Sequence, residues 1–557
     1  MTTLPRIAIV SFALIASATA QSMEKIDLFK VGDHGYRLYH IPGIVVTAKG
    51  TVLAWCEARK NGSDWDQIDI LLRRSTDDGR TWSEAKKIAH VPGPKKKNPF
   101  ALRLKLTDPS TVTYNNPVLI ADRDGTVHMV FCLEYMRCFY QRSEDDGLTW
   151  SKPVEITETF KAFRKDYDWK VLATGPNHSI QLKNGRLIVP VWLSTGTGGN
   201  AHRPSVASVI YSDDDGETWQ AGEIAVPCND EFVNPSETIA IQLQDGRIML
   251  NSRNESKPRR RVVVVGPNGA TGWSEPKFQD DLVDPMCMAG LARYEHGGEN
   301  FLLFTNPNVT RGRQYVSVRL SHDEGKSWPI TRCIEFGYSC YSDIIVSPKG
   351  TILCFYGRGD KPHFAGDRLT VARFDREWLR TDPLVALRKN AVKGVEFVKA
   401  GRAVSLRAPA SAKFESGALV VSGKPNSVRA NHDLLHGDFE IRARLRLDQL
   451  DGTASGLMLG ANLFGFDGAK SKNFFVEGRQ FGKSRSLGNA AKLIKAGKIF
   501  EVTANRRGDV ITFAVNGQEI HSGTYQLPEP CAMGLRPWRG TLRIHNFSAR
   551  GNLVPSR

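Results

Sequence analysis

Cysteine is scarce in this chain, nine in 557 residues, and no two of them form a C-x-x-C pair. Cys56, Cys132, Cys138, Cys228, Cys287, Cys333, Cys340, Cys354 and Cys531 are too few and too scattered for a disulfide scaffold, and their spacing does not spell a zinc site. One or two bridges remain compatible with export to an oxidising compartment. After the first twenty residues no apolar run approaches the roughly 18 residues needed to span a bilayer, and the C-terminal GNLVPSR carries no lipid signal, so no transmembrane segment is expected. Convincing helical periodicity is almost missing too, which turns the reading toward an all-β chain. Acidic residues are outnumbered, 59 against 75 basic ones, for a net charge of +16. A positive field concentrates anions and so suits an anionic substrate or an acidic surface. Nucleic acid is not the expected partner. The basic clusters Lys95-Lys96-Lys97 and Arg259-Arg260-Arg261 are short, lie beside prolines, lack interleaved aromatics, and read as solvated loops.

The first twenty residues combine Arg6, an apolar run from Ile7 to Ala18, and Ala18-Thr19-Ala20. This is the pattern of a secretory signal peptide, cleaved before Gln21, and it predicts a secreted or periplasmic protein. The remainder is too long for one core and about right for two domains.

Short apolar runs fill that remainder. Between residues 37 and 82, Ile44 to Thr47 and Thr51 to Cys56 flank a Lys49-Gly50 turn; Arg59 follows; Asp64, Asp66 and Asp69 occupy a polar stretch; and Ile68 to Leu72 form a third strand. The segment ends in STDDGRTW from Ser75, which recurs as SEDDGLTW from Ser143, SDDDGETW from Ser212 and SHDEGKSW from Ser321. Spacings of 68, 69 and 109 residues, the last read as two shorter units, fit four-stranded blades with long loops. Six such repeats occupy about residues 25 to 385. A β-sandwich would also supply short strands, but not a tryptophan-ended octapeptide four times over. Beyond Thr381-Asp382-Pro383 the boxes stop. Alternating strands such as FEIRARLRL and VITFAVNGQEI then predict a separate sandwich. The expected organisation is a signal peptide over 1–20, a six-bladed β-propeller over 21–388 and a β-sandwich of jelly-roll type over 389–557.

The octapeptide is the Asp-box (BNR) signature, and the propeller region resembles the sialidase (neuraminidase) family. The second domain looks like the concanavalin A-like or laminin G-like jelly rolls that often accompany such propellers. There Trp538, Phe464, Phe466 and Phe474 are either sugar platforms or core. In the family an arginine cluster holds the substrate carboxylate, an aspartate is the acid/base, and a tyrosine activated by a glutamate is the nucleophile. Glu57-Ala58-Arg59 matches the first-blade arginine, and Asp64 fits the acid/base, with Asp66 and Asp69 as competitors. NPSETIAIQLQDGRIMLNSR resembles the segment bearing the glutamate and an arginine, here Glu237 and Arg253. PNVTRGRQYVSVRL implies Arg313 in preference to Arg311, and GYSCYSDIIV implies Tyr341 in preference to Tyr338. GPNHSIQL makes His178 either a pocket wall or a structural residue. No cofactor or metal is implied.

The residue types suit the chemistry. A sialoside bears a carboxylate on its anomeric carbon, which would repel a carboxylate nucleophile but not a phenol. With an ordinary pKa near 10 the phenol needs a base, the role of Glu237. Asp64 must protonate the leaving oxygen and then deprotonate water, which calls for a raised pKa. Arg59, Arg253 and Arg313 would clamp the substrate carboxylate through planar, charge-assisted pairs. Two positions depart from the family. His40 stands where the family has a clamping arginine in Arg-Ile-Pro, and Gly357 stands where a glutamate buttresses that arginine. Loss of both leaves no orphaned charge and suggests a rebuilt site, in which case His40→Arg with Gly357→Glu should raise activity on sialosides. The implied function is a retaining exo-glycosidase of sialidase type, acting on terminal α-linked sialic acid or a related 2-keto sugar acid of glycoproteins, glycolipids or oligosaccharides. Transfer to another acceptor uses the same intermediate. The alternatives are a catalytically silent glycan-binding Asp-box propeller and a glycosidase for a different acidic sugar.

Overall fold

The computed structural model describes residues 23–360, 364–380 and 391–556, apart from positions 423–426, 436, 451–452, 469–471, 479, 526, 529 and 539. The expected signal peptide lies outside the described residues. The chain divides into two compact units, Met1–Arg380 and Thr381–Arg557.

In the first unit six sheets follow one another as the blades of a propeller, antiparallel except where Asn177–His178 pairs in parallel with Tyr114–Ala121. Blade 1 is built from Leu38–Val46, Val52–Arg59, Ile68–Ser75 and Lys86–Lys87. Blade 4 comprises Thr238–Gln242, Ile248–Ser252, Arg260–Gly266 and Lys277–Val283. Blade 6 runs from Tyr338–Val346 through Ile352–Gly359 to Arg368–Phe374, and its outermost strand is Glu24–Lys30 from the start of the chain. That strand closes the ring, so blade 6 is completed by residues more than 300 positions away from its others. The cores lie between blades. Val45, Leu53, Trp55 and Ile70 of blade 1 pack on Leu119, Met129 and Phe131 of the next blade, and Ile44, Val52 and Ala54 pack on Leu353, Phe355 and Val371 of blade 6. Strands covered on both faces account for the continuous apolar runs in the sequence.

Each Asp-box is a turn tied by its own side chains. Ser75 Oγ donates to Asp77 (2.8 Å) and accepts from Gly79 N (2.9 Å), while Thr81 donates to Asp77 through N (2.8 Å) and Oγ1 (2.6 Å). The same pattern recurs at Asp145, Asp214 and Asp323. The box glycine has φ between +78° and +90° in all four copies, a conformation that an L side chain would strain. The side chain of the residue before it reaches the preceding blade in three of the boxes, and in the fourth the Asp215 carbonyl accepts from the Tyr140 hydroxyl. Asp78 accepts from Thr351 and Arg373, Asp146 from Thr51, and Glu324 from Gln244 N. The boxes are therefore staples between blades.

Partial desolvation raises the Asp145 and Asp323 carboxyls, but hydrogen bonds from Thr149 or Ser327 and from the box serine outweigh it and bring both down to about 2. Asp77 is lowered further by the same bonds, and Asp214 is lowered chiefly by Thr218. A carboxyl depressed in the folded state stabilises it above the unfolded pKa of about 4, and that contribution is lost as pH falls through the folded value. The melting temperature should therefore drop between about pH 4 and pH 2, and Asp145→Asn should make that drop shallower. Scanning calorimetry across this range checks it; an unchanged slope in the variant would show that the boxes do not couple to proton binding.

In the second unit a ten-stranded and a seven-stranded sheet share one core. Ile441, Ala443, Val502 and Phe513 of the larger sheet meet Leu457, Phe464, Phe466, Phe474 and Val476 of the smaller. Phe464, Phe466 and Phe474 are thus core residues and not sugar platforms, because their positions on alternating strands face inward. Trp538 is half-buried, 5.0 Å from the Arg536 guanidinium.

Candidate active site

Strand register puts Leu38, Arg59 and Ile68 at one end of blade 1 and Val46, Val52 and Ser75 at the other, so the expected site residues and the boxes occupy opposite ends of the strands. At the site end the innermost strands of blades 1 and 6 are bulged, between His40 and Gly43 and between Ser339 and Ser342. A bulge re-aims side chains, and these bring His40 and Tyr341 together, with ring centroids 4.3 Å apart.

Glu237 precedes the first strand of blade 4 and Arg253 follows the second. The pair Ser236 N to Arg253 O (3.0 Å) and Arg253 N to Glu237 O (2.8 Å) brings them to the same end of the hairpin. Glu237 accepts from the Tyr341 hydroxyl at 2.5 Å (Oε1) and 2.7 Å (Oε2), and Arg253 Nη1 donates to both Glu237 and Tyr341. Burial pushes the Tyr341 phenol well above its ordinary value; Arg253 opposes this and Glu237 adds to it. The hydroxyl is therefore neutral, with a carboxylate positioned to take its proton. Glu237 bonds to Tyr341 and not to Tyr338, which lies at the start of the same strand.

Arg313 approaches the Tyr341 ring, 4.9 Å from its centroid, and is steadied by two backbone carbonyls, Phe364 O (2.5 Å) and Met286 O (2.8 Å). Arg59 is held differently. Its Nε and Nη2 donate to Glu57 (2.9 and 2.6 Å), which is fully buried, and its Nη1 donates to Asp64 (2.5 Å). The three arginines expected to act as one cluster thus divide, with Arg253 and Arg313 at Tyr341 and Arg59 on its own two carboxylates. Asp64 is the acidic residue of its loop that faces Arg59. Asp69 is engaged by Tyr36 (2.6 Å) and Lys87 (3.0 Å), and Asp66 by the backbone of Gln67. Desolvation raises the Asp64 carboxyl, but Arg59, followed by His202 and Arg253, pulls it below its ordinary value. This is opposite to the raised pKa expected of an acid/base, because Arg59 stabilises the carboxylate.

His40 is buried between Tyr341 and Phe364, whose ring stands edge-on at 5.5 Å. At Gly357 a Cβ would lie 2.4 Å from Cys340 Sγ and 2.8 Å from Ala365 O. The space that a glutamate side chain would enter at this position is therefore filled by the Cys340 thiol and the Ala365 carbonyl. This corrects the expectation that His40→Arg with Gly357→Glu would raise activity. Gly357→Glu should instead destabilise the propeller, by about 1–3 kcal/mol or more, with the melting temperature as the readout. A variant melting within a degree of the parent would show that Cys340 and Ala365 can move aside.

His178 is bound at N and Nδ1 by Asp343 (3.0 and 2.8 Å). It faces a cavity of about 320 Å³ lined also by Val45, Ile241 and Ile345 toward the box end of the central channel, which is the position of a structural residue. The basic triplets are not uniformly solvated as expected. Lys97 pairs with Glu134 (2.9 Å), and Arg261 is wholly buried on Asn251, Cys287 O and Asp284. One group of site residues has no signature in the sequence. Trp65, next to Asp64, packs with Tyr135, Trp192 and His202, which come from two other blades. Only the fold brings them together.

Residues 103–354 match the family model described as BNR repeat-like domain. Over 369 residues the chain is 29% identical to a sialidase of Micromonospora viridifaciens, covering 63% of this chain and 54% of that one. Over 348 residues it is 29% identical to a sialidase of Bacteroides fragilis (strain YCH46), covering 56% and 59%. The chain thus spans little more than half the length of these relatives. Among solved structures, Hadza microbial sialidase Hz136 matches with a TM-score of 0.52 at 25% identity, over 62% of this chain and 68% of that one. The intramolecular trans-sialidase from Ruminococcus gnavus shares the fold, with a TM-score of 0.51 at 18% identity over 64% and 98%.

Proposed function

We propose that this chain belongs to the BNR-repeat sialidase family through its six-bladed propeller and is a secreted exo-α-sialidase that removes terminal α-linked sialic acid, or a related 2-keto sugar acid, with retention of configuration. The observation that carries the reading is the Tyr341 hydroxyl on both oxygens of Glu237 with Arg253 against the pair. A binding propeller has no need of a phenol paired with a base.

In this reading Arg253 and Arg313 receive the substrate carboxylate beside Tyr341. Tyr341 O attacks the anomeric carbon as Glu237 takes the phenolic proton, and the bond to the leaving oxygen breaks as Asp64 protonates it. Water then attacks the same carbon as the bond to Tyr341 O breaks, Asp64 takes a proton from that water, and Glu237 returns the first proton to the departing Tyr341 oxygen. Asp64 becomes able to carry a proton when the bound substrate draws Arg59 away and excludes water, since both changes raise a carboxyl pKa. The export signal over residues 1–20 supports action on extracellular or periplasmic glycoconjugates, and the second unit is read as a concanavalin A/laminin G-like jelly roll.

A second reading is favoured by His40 and by the filled space at Gly357. The chemistry would be the same, but the clamp, short of one arginine, would suit a different acidic sugar. Incubation with aryl α-glycosides of sialic acid and of other acidic sugars, with the first-formed anomer followed by NMR, tests both. Release of the aryl group with the α anomer appearing first is expected. Silence toward every acidic sugar, or a first product of inverted configuration, would sink the proposal.

A further inference from the structure

We infer that His202 is a positioning residue for Asp64, its ring closing an aromatic seat for Trp65 and so holding the adjoining carboxylate where a leaving group must be protonated. The inference rests on the glycosidase reading above. Trp65 is the residue after Asp64, and its indole is almost completely buried, with ring centroids 4.5 Å from Tyr135 and 5.4 Å from His202. His202 in turn lies 5.0 Å from Tyr135 and 5.1 Å from Trp192. The four rings form one cluster, and three of them are at most 5% exposed. His202 is the partly exposed member and closes it on the open side.

The loop that carries His202 is itself held. Arg203 donates through Nε and Nη2 to Glu255 (2.9 and 2.7 Å), Asn234 fixes the other oxygen of that carboxylate (3.0 Å), and Gly198 N bonds to Arg203 O (3.0 Å). His202 N is anchored on Asn200 Oδ1 (2.8 Å). The hydrogen-bonded loop between the strands Leu187–Ser194 and Ser205–Ser212 therefore presses a ring onto the residue beside the expected acid. The charged groups that act on that ring are Asp64, Arg253, Glu237 and Arg59, all of them members of the site. Loss of solvent lowers the imidazole pKa and keeps it neutral. Its Nε2 is buried without a hydrogen-bond partner among the described residues. The ring thus works through its faces, and a phenylalanine should replace it.

A general acid matters most when the leaving group is a poor one. A sugar alcohol needs the proton, whereas a nitrophenolate departs almost without it. The test compares kcat/KM, which reports the bond-breaking step, for a sialyl-lactose and for 4-nitrophenyl α-sialoside on the same preparations of wild type, His202→Ala and His202→Phe. Displacement of a catalytic group by about 1 Å is worth about 100-fold. His202→Ala should therefore lose about 30- to 100-fold on the sialyl-lactose and less than about threefold on the aryl substrate, with His202→Phe within about threefold of wild type on both. The ratio between substrates does not depend on the folded fraction, so a destabilised alanine variant still reports. Equal losses on the two substrates, or a phenylalanine variant as impaired as alanine on the sialyl-lactose, would overturn the positioning role alone. Inactivity of the wild type on both would overturn the glycosidase reading and this inference with it.

Discussion

Tyr341→Phe should lower kcat on an aryl sialoside by on the order of 1,000-fold, about 4 kcal/mol of barrier, while leaving the fold intact. The hydroxyl is the atom that would bond the anomeric carbon, and among the described residues it is the hydroxyl bonded to Glu237, the carboxylate that can take its proton. The ring itself would keep its contacts with His40 and Arg313, 4.3 and 4.9 Å away. Glu237 and Arg253 would still pair with each other, so no buried charge is orphaned and the stability change should stay within about 1 kcal/mol. Steady-state kinetics and a thermal melt on the same sample separate the two effects. A variant retaining a tenth or more of the parent kcat would show that Tyr341 is not the nucleophile.

Asp343→Ala should cost about 3–5 kcal/mol of stability. The carboxylate is completely buried and joins three parts of the ring. Its Oδ2 accepts from Ile44 N of blade 1 and from His178 N (3.0 Å each), and its Oδ1 meets His178 Nδ1 (2.8 Å) and Ile344 N (2.9 Å). Alanine would leave these groups buried and unsatisfied. Asparagine should rescue poorly, because its amide NH2 would confront two donors. Denaturant unfolding of both variants checks this. Loss of less than about 1 kcal/mol in Asp343→Ala would mean that water or a local shift resupplies the acceptor.

The parts of the molecule that were legible from sequence are those set by short-range geometry. An Asp-box is closed by bonds no more than four residues apart, so its four copies reveal themselves as strings, and their spacing leads to six blades. Glu237 and Arg253 stand together because sixteen residues make one hairpin with both ends at the same side. What stayed hidden depends on neighbours far along the chain. Composition alone suggested that Arg261 belonged to a solvated basic cluster, yet it is buried on Asp284 and Cys287, more than twenty residues away. Phe464 and Phe474 read equally well as exposed platforms or as core until the second sheet covered them.

By itself the sequence determined that this protein is an all-β chain with a repeating propeller, because strand alternation, turn residues and the serine-aspartate-glycine-tryptophan octapeptide act locally and need no partner to be recognised. Only the tertiary structure decided how the charges of the site are shared: that Arg59 answers to Glu57 and Asp64 while Arg253 and Arg313 flank Tyr341, that a thiol and a carbonyl fill the space beside Gly357, and that His202 closes over Trp65. Each of these depends on distances between blades. Those distances are set by how the ring closes, with Glu24–Lys30 completing the blade that carries Tyr341. A linear reading can name the charged groups, but partners and electrostatic balance follow from the few ångströms that closure imposes.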